Sequence, residues 1–358
     1  MTPLPTRKDV IRRFKKAGGQ VAAVLPFRYP RELLRAFRVL PVEVWGPPTA
    51  DVSLGGSHLQ SYTCAIVRNA TSFLLSGGLD ETDVILVPHT CDSLQGMGSV
   101  LLDFVKPQQK VLTLYLPRGT RPADLDFLIA ELKRLYAELA RWSSRQPSEH
   151  DLLQAVRREE EADAALANLY ADRWKLPLSD LDFYQIVRSR EFLPAEEFCR
   201  LAENLPRGNE EKPHGIPILI SGIVPEPMSL FTEIQEMGAY IAADDLACGT
   251  RRLYQKGTSE EPFTRMAQRL FSAAPDPTRG SPIDTRIAYL KDLLARSGAR
   301  GILIYDPKFC EPELFDSPII RKKLDAEGIP VTYVEFEMGE PLSQQTLTRI
   351  EAFVEMLG

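Results

Sequence analysis

The residues best suited to chemistry in this 358-residue chain are its five cysteines, at 64, 91, 199, 248 and 310. Two sit in the same local construction. Cys91 ends the run Val87-Pro88-His89-Thr90-Cys91-Asp92, and Cys310 ends Tyr305-Asp306-Pro307-Lys308-Phe309-Cys310-Glu311. Each reads as an apolar strand, a proline turn, a cysteine and then an acid. Cys64 follows a Gly55-Gly56 loop and stands at the start of a helical pattern reaching Leu75. A helix amino terminus favours the thiolate, which is the form that attacks electrophiles and binds metals. Cys199 lies within Glu196-Glu197-Phe198-Cys199-Arg200-Leu201, an amphipathic helical pattern where core packing is the natural reading. Cys248, just past Asp244-Asp245, reads either as a loop thiol near a cleft or as buried packing.

The elements that must position these thiols alternate strand with helix. Apolar runs at 20–25, 42–45, 83–87 and 110–115 read as strands, with the second broken by Gly46-Pro47-Pro48. The continuous run at 83–87 suits a strand buried on both faces. From 122 to 142 the period changes to helical, and Ser148 with Asp151 marks the start of a second long helix reaching about 174. A charged, proline-broken stretch at 210–213 reads as a boundary. Strands at 216–223, 240–243, 301–305 and 331–336 then alternate with helices at 228–237, 313–327 and 342–356. The expected fold is α/β: two Rossmann-like lobes with doubly wound parallel sheets, residues 1–120 and 211–358, joined by a helical middle at 121–210.

Ligands of open parallel sheets bind at the carboxyl ends of strands, which is where Cys91 and Cys310 fall. With Cys64 facing the same cleft, three thiols form a metal site with an incomplete protein shell. Thiolates hold iron–sulfur clusters, and a cubane usually takes four of them. The bland alternative is that each cysteine is a small buried hydrophobe.

Composition narrows the rest. The chain is 44% hydrophobic with a formal net charge of −6, an ordinary globular balance whose acidity disfavours nucleic acid as a partner. No apolar run approaches the roughly 20 residues of a membrane span. The first fourteen residues lack an apolar secretory core, so the expected location is the cytoplasm, where cysteines stay reduced. There is no phosphate-binding P-loop, no dinucleotide or esterase motif and no zinc-protease motif, and four histidines are too few for a histidine-rich site.

At the cysteines the chain resembles the family that contains 2-hydroxyacyl-CoA dehydratase and benzoyl-CoA reductase subunits. His89-Thr90-Cys91-Asp92-Ser93-Leu94-Gln95 resembles one of its cysteine motifs, Ser61-Tyr62-Thr63-Cys64-Ala65-Ile66-Val67-Arg68 its first, and Lys308-Phe309-Cys310-Glu311-Pro312 its last. Ser221-Gly222 through Asp244-Asp245 and Gly249-Thr250-Arg251 is similar to the second-lobe signature. Tyr29-Pro30-Arg31-Glu32-Leu33-Leu34, leading into Leu40-Pro41-Val42, fits the family's beginning.

The resemblance implies that Cys64, Cys91 and Cys310 each give a thiolate to one [4Fe–4S] cluster between the lobes, with the fourth iron open. It implies a homologous second subunit, or a second copy of this chain, and an ATP-hydrolysing activator carrying its own cluster. The implied substrate is a CoA thioester. In dehydratases an injected electron makes a ketyl radical and the α-hydroxyl leaves; in benzoyl-CoA reductases the aromatic ring is reduced. A further branch holds linked double cubanes and reduces small molecules; its six thiolates would require two copies of this chain unless Cys199 or Cys248 also binds. A metal-free two-lobed binding protein is the reading from outside the family. His89 is a candidate to donate to a cluster sulfur or move a proton, with turn capping or surface exposure as its ordinary alternative. Arg251 and Arg252 are candidates to meet CoA phosphates, or are simply solvated.

Overall fold

The computed structural model describes residues 4–47, 51–209 and 211–358, so the expected break at Pro48 and the boundary at Glu210 lie outside the described residues. Two four-stranded parallel sheets dominate. The first contains β1 (Gln20–Val24), β2 (Val39–Glu43), β3 (Val84–His89) and β4 (Lys110–Tyr115), in the order β2-β1-β3-β4. The second contains β5 (Ile216–Gly222), β6 (Ala239–Leu246), β7 (Ile302–Pro307) and β8 (Val331–Phe336), in the order β6-β5-β7-β8. The two orders are the same once the strands are renumbered within each sheet. In each, the winding reverses between the two central strands, which opens a crevice at their carboxyl ends.

Burial explains the strand composition. In β1, Val21, Ala22, Ala23 and Val24 have no exposed surface, and β3 is apolar from Val84 to Val87 because helices cover both faces. The second strand begins at Val39 rather than at 42, and therefore contains Pro41. Proline is tolerated there because β2 is an edge strand and pairs only with β1.

Between the sheets run the helices Pro122–Ser143 and Glu149–Ala171, followed by Asp180–Ser189 and Ala195–Glu203. Ser148 and Asp151 cap the second reciprocally, satisfying two amides that the first turn leaves without partners. Leu128, Leu132, Leu135 and Leu139 form the buried stripe of the first. The largest apolar core joins the lobes: it includes Val21 and Ile85 of the first sheet, Leu166 and Phe183 of the middle helices, and Ile218 and Leu303 of the second sheet. Among the described residues, no helix is long and apolar enough to cross a membrane.

Candidate metal centre

Cys64, Cys91 and Cys310 all occupy the capping position that opens a helix: Ala65–Leu75, Asp92–Val100 and Glu311–Ala326. Each cysteine carbonyl accepts the first bond of its helix, from Arg68, Gln95 and Leu314 respectively. Cys91 leaves β3 and Cys310 leaves β7, the equivalent strands of the two lobes. Cys64 comes from the long connection between β2 and β3. Cys64 and Cys310 are buried and Cys91 is half-buried.

The centre is stitched across the lobes by backbone as well as side chains. The amide of Ala65 donates to the Lys308 carbonyl at 3.0 Å. Arg68 donates to the Thr63 carbonyl at 3.0 Å and to Glu337 at 2.9 Å, and its guanidinium lies over the Phe309 ring at 5.8 Å. Phe309 itself takes a left-handed backbone, φ 61°, turning the chain so that Cys310 can open its helix. Beside this loop, Lys308, Phe336, Glu337 and Arg349 contribute to the wall of a cavity of about 340 Å³.

The thiols influence one another. Cys64 and Cys310 are partners: the Cys310 S–H stabilises a Cys64 thiolate and so lowers the Cys64 pKa, while the same pairing, with burial, raises that of Cys310. Burial pushes Cys91 up to about 12, helped by the nearby Cys64 charge. No thiol makes a full side-chain capping bond. The amides of Ile66 and Val67 at Cys64, and of Ser93 and Leu94 at Cys91, nevertheless lean toward sulfur closely enough to favour its charged form. Among the described residues, no group of three His, Cys, Asp or Glu side chains is placed to hold a single metal ion. An iron–sulfur cluster is held by thiolates rather than by a mixed donor set. The donor set fits, being sulfur only and set at helix amino termini.

The remaining candidates lie elsewhere. Cys199 is half-buried on the helix Ala195–Glu203, and Cys248 is fully buried behind β6 with its amide bonded to the Ile223 carbonyl at 3.1 Å. Cys248 sits close enough to Arg188, Glu191 and Arg252 for their charges to act on it. His89 is neither a turn cap nor a surface residue. Its ring meets Tyr115 edge-on at 4.5 Å, and neither ring nitrogen has a hydrogen-bond partner among the described residues. Burial, with the Arg134 charge, lowers its pKa and keeps it neutral.

The expectation that Arg251 and Arg252 are solvated or meet phosphates fails, because both are buried and their charges are met by carboxylates. Arg251 grips Asp245 through two bonds of 2.8 and 2.9 Å and also reaches Glu313 and Asp276 at 2.6 and 3.1 Å; Arg252 pairs with Glu43. This buried charge network was missed at the level of sequence. Its one legible signal is the acid pair at 244–245 facing the arginine pair at 251–252 around a strand end.

These features define a two-lobed α/β protein in which a cysteine after an equivalent strand opens a helix in each lobe. The chain belongs to the 2-hydroxyglutaryl-CoA dehydratase, D-component family, matching it over residues 26–357. It is 24% identical to the (R)-phenyllactyl-CoA dehydratase beta subunit of Clostridium sporogenes, over 98% of this chain and 95% of that one. It is 24% identical to the beta subunit of (R)-2-hydroxyglutaryl-CoA dehydratase from Acidaminococcus fermentans, covering 98% and 96%, and 25% identical to a benzoyl-CoA reductase subunit from Thauera aromatica, covering 95% and 92%. Among solved structures, the periplasmic zinc-binding protein TroA from Treponema pallidum aligns over 95% of this chain and 96% of its own, at 11% identity and a TM-score of 0.24, too low to bear on the fold.

Proposed function

We propose that Cys64, Cys91 and Cys310 hold one [4Fe–4S] cluster with an iron free of protein ligand, and that the chain is a subunit of an ATP-dependent, activator-driven radical enzyme. Its substrates are CoA thioesters, acted on by 2-hydroxyacyl dehydration or aromatic ring reduction. The observation that carries this reading is the meeting of three helix-opening thiols from both lobes, while Cys199 and Cys248 lie apart from them. The relatives support the substrate class and the partner: each is named as one subunit of an enzyme acting on a CoA thioester, so a homologous second subunit is expected. An activator that hydrolyses ATP on a separate chain accords with the absence of a P-loop here.

When bound, the cluster supplies one-electron reduction and an open Lewis-acidic iron. The chain's own residues prepare the setting. Burial of Cys64 and Cys310 keeps water from the sulfurs, the helix amides at Cys64 and Cys91 favour thiolates, and Arg68 brings positive charge while holding the Phe309 loop in place. His89, two residues before Cys91 and with both ring nitrogens unpartnered among the described residues, is the candidate to donate to a cluster sulfur or move a proton.

The test is anaerobic purification with iron and acid-labile sulfide assays. About four of each per chain is expected, lost in Cys64→Ala, Cys91→Ala and Cys310→Ala and retained in Cys199→Ala. A folded chain that takes up no iron even after anaerobic reconstitution refutes the proposal.

A further inference from the structure

A cavity of about 20 Å³ lies where the first sheet, the middle helices and the loop after β6 meet. Its charged lining is Arg28, Arg31, Arg190 and Arg252 against only two carboxylates, Glu43 and Asp163. Arg28, Arg190 and Arg252 are 6%, 1% and 7% exposed, and each comes from a different part of the chain. Buried polar groups in folded proteins are almost always hydrogen-bonded. Here Arg28 Nε, Arg190 Nε and Nη1, and Arg252 Nε find no partner among the described residues.

Every one of these orphans is a donor; Glu159 and Asp276, outside the lining, meet the charges of Arg190, Arg31 and Arg28, so what is left over is N–H groups without acceptors rather than net charge. Glu43 already receives four bonds: Tyr29 at 3.0 Å and Arg31 at 3.1 Å on one oxygen, Trp45 at 3.2 Å and Arg252 on the other. An ionised carboxylate offers about four acceptor sites, so Glu43 is full. Asp163 is engaged on both oxygens, by Arg190 at 3.1 Å and Arg269 at 2.6 Å. A water molecule fits the volume but accepts only about two bonds and needs acceptors for its own two protons. A monatomic anion accepts from every side and donates nothing.

We infer that this cavity is a binding site for a halide-sized anion, chloride in solution, held by Arg28, Arg190 and Arg252 and so bridging both lobes and the middle helices. The site is independent of the thiol centre and of any cluster held there. Binding only to the folded chain, the anion stabilises it by mass action.

The experiment follows the thermal midpoint of the full chain as sodium chloride replaces sodium gluconate at constant ionic strength, with and without iron loaded. The expected result is a saturable rise of about 2–4 °C, independent of iron. Arg28→Met is the diagnostic variant. Beyond its charge acting on Asp276 it makes only long contacts, 3.4 Å to the Ala274 carbonyl and 3.8 Å to Asp276, and Asp276 keeps its bonds to Arg251 and Thr278. The chloride response should disappear in it. Should Arg28→Met not fold, bromide anomalous scattering from wild-type crystals decides, with a peak expected among the three guanidiniums. A wild-type midpoint indifferent to chloride, an undiminished response in folded Arg28→Met, or a bromide map with no peak there overturns the assignment.

Discussion

The two lobes repeat one sheet and one strand–turn–cysteine device, yet they support it with opposite chemistry. In the first lobe, the helix opened by Cys91 packs through Leu94 and Met97 into the apolar core and through Gly98 against His89. In the second lobe, the helix opened by Cys310 is anchored in its first turn by Glu313, bonded to Arg251 and Arg286, which in turn hold Asp245, Asp276 and Asp316. Apolar contacts adapt to small displacements, whereas a buried ion network is tolerated only with nearly all its charges matched. The first support is therefore replaceable in small increments, and the second fails abruptly when one member is lost.

The largest effect should come from the charged side. Arg251→Met leaves Asp245, Asp276 and Glu313 short of a buried cation and is expected to cost about 3–5 kcal/mol in denaturant unfolding. Its apolar counterpart, Met97→Ala, removes a fully buried side chain and is expected to cost about 2–4 kcal/mol. If Met97→Ala proves the more damaging, the contrast between the lobes is reversed.

Acid should probe the same contrast with a smaller effect per group. Burial opposes ionisation of Asp276, but Arg28 and Arg251 hold its pKa down to about 2, from 3.8. At Glu159, burial is likewise outweighed by Arg190 and Arg31, giving about 2 from 4.5. Both pKa values are lower in the folded state, so their stabilisation is present above the unfolded values and is lost as pH falls toward 2. Unfolding free energy followed from pH 6 downward should decline below about pH 5, by about 2–3 kcal/mol for each group. Asp276→Asn should lower stability at pH 6 and flatten part of that decline; an unchanged slope would show that Asp276 titrates alike in both states.

The same contrast explains what the sequence disclosed. Strands such as β1 and β3 were legible because burial writes itself as an apolar run, and the cysteine device was legible because it occurs twice. The strand β2 was misplaced because Pro41 reads as a breaker unless its edge position is known. The helices Pro262–Phe271 and Ile283–Ser297 escaped notice for a related reason: Arg269 and Arg286 look like surface residues but are buried against Glu32, Asp163, Glu313 and Asp316. Those carboxylates are distant in sequence, so no local pattern announces the pairs. The centre's apolar half was thus readable and its charged half was not.

The smallest effect concerns His89, where the two lobes differ within the device itself. A methyl group added at Gly98 would stand 2.8 Å from His89 Nε2, too close without movement of the ring. Alanine is otherwise worth up to about 1 kcal/mol over glycine inside a helix. Gly98→Ala alone should therefore be near neutral or destabilising by about 1 kcal/mol, as ring displacement offsets helix propensity. In a His89→Ala background the same change should become stabilising by about 0.5–1 kcal/mol, because only the propensity term survives. The coupling from this double-mutant cycle measures how firmly the helix that Cys91 opens presses on the histidine. Zero coupling would mean that the ring moves freely beneath the helix, and that the first lobe holds Cys91 through Leu94 and Met97 alone.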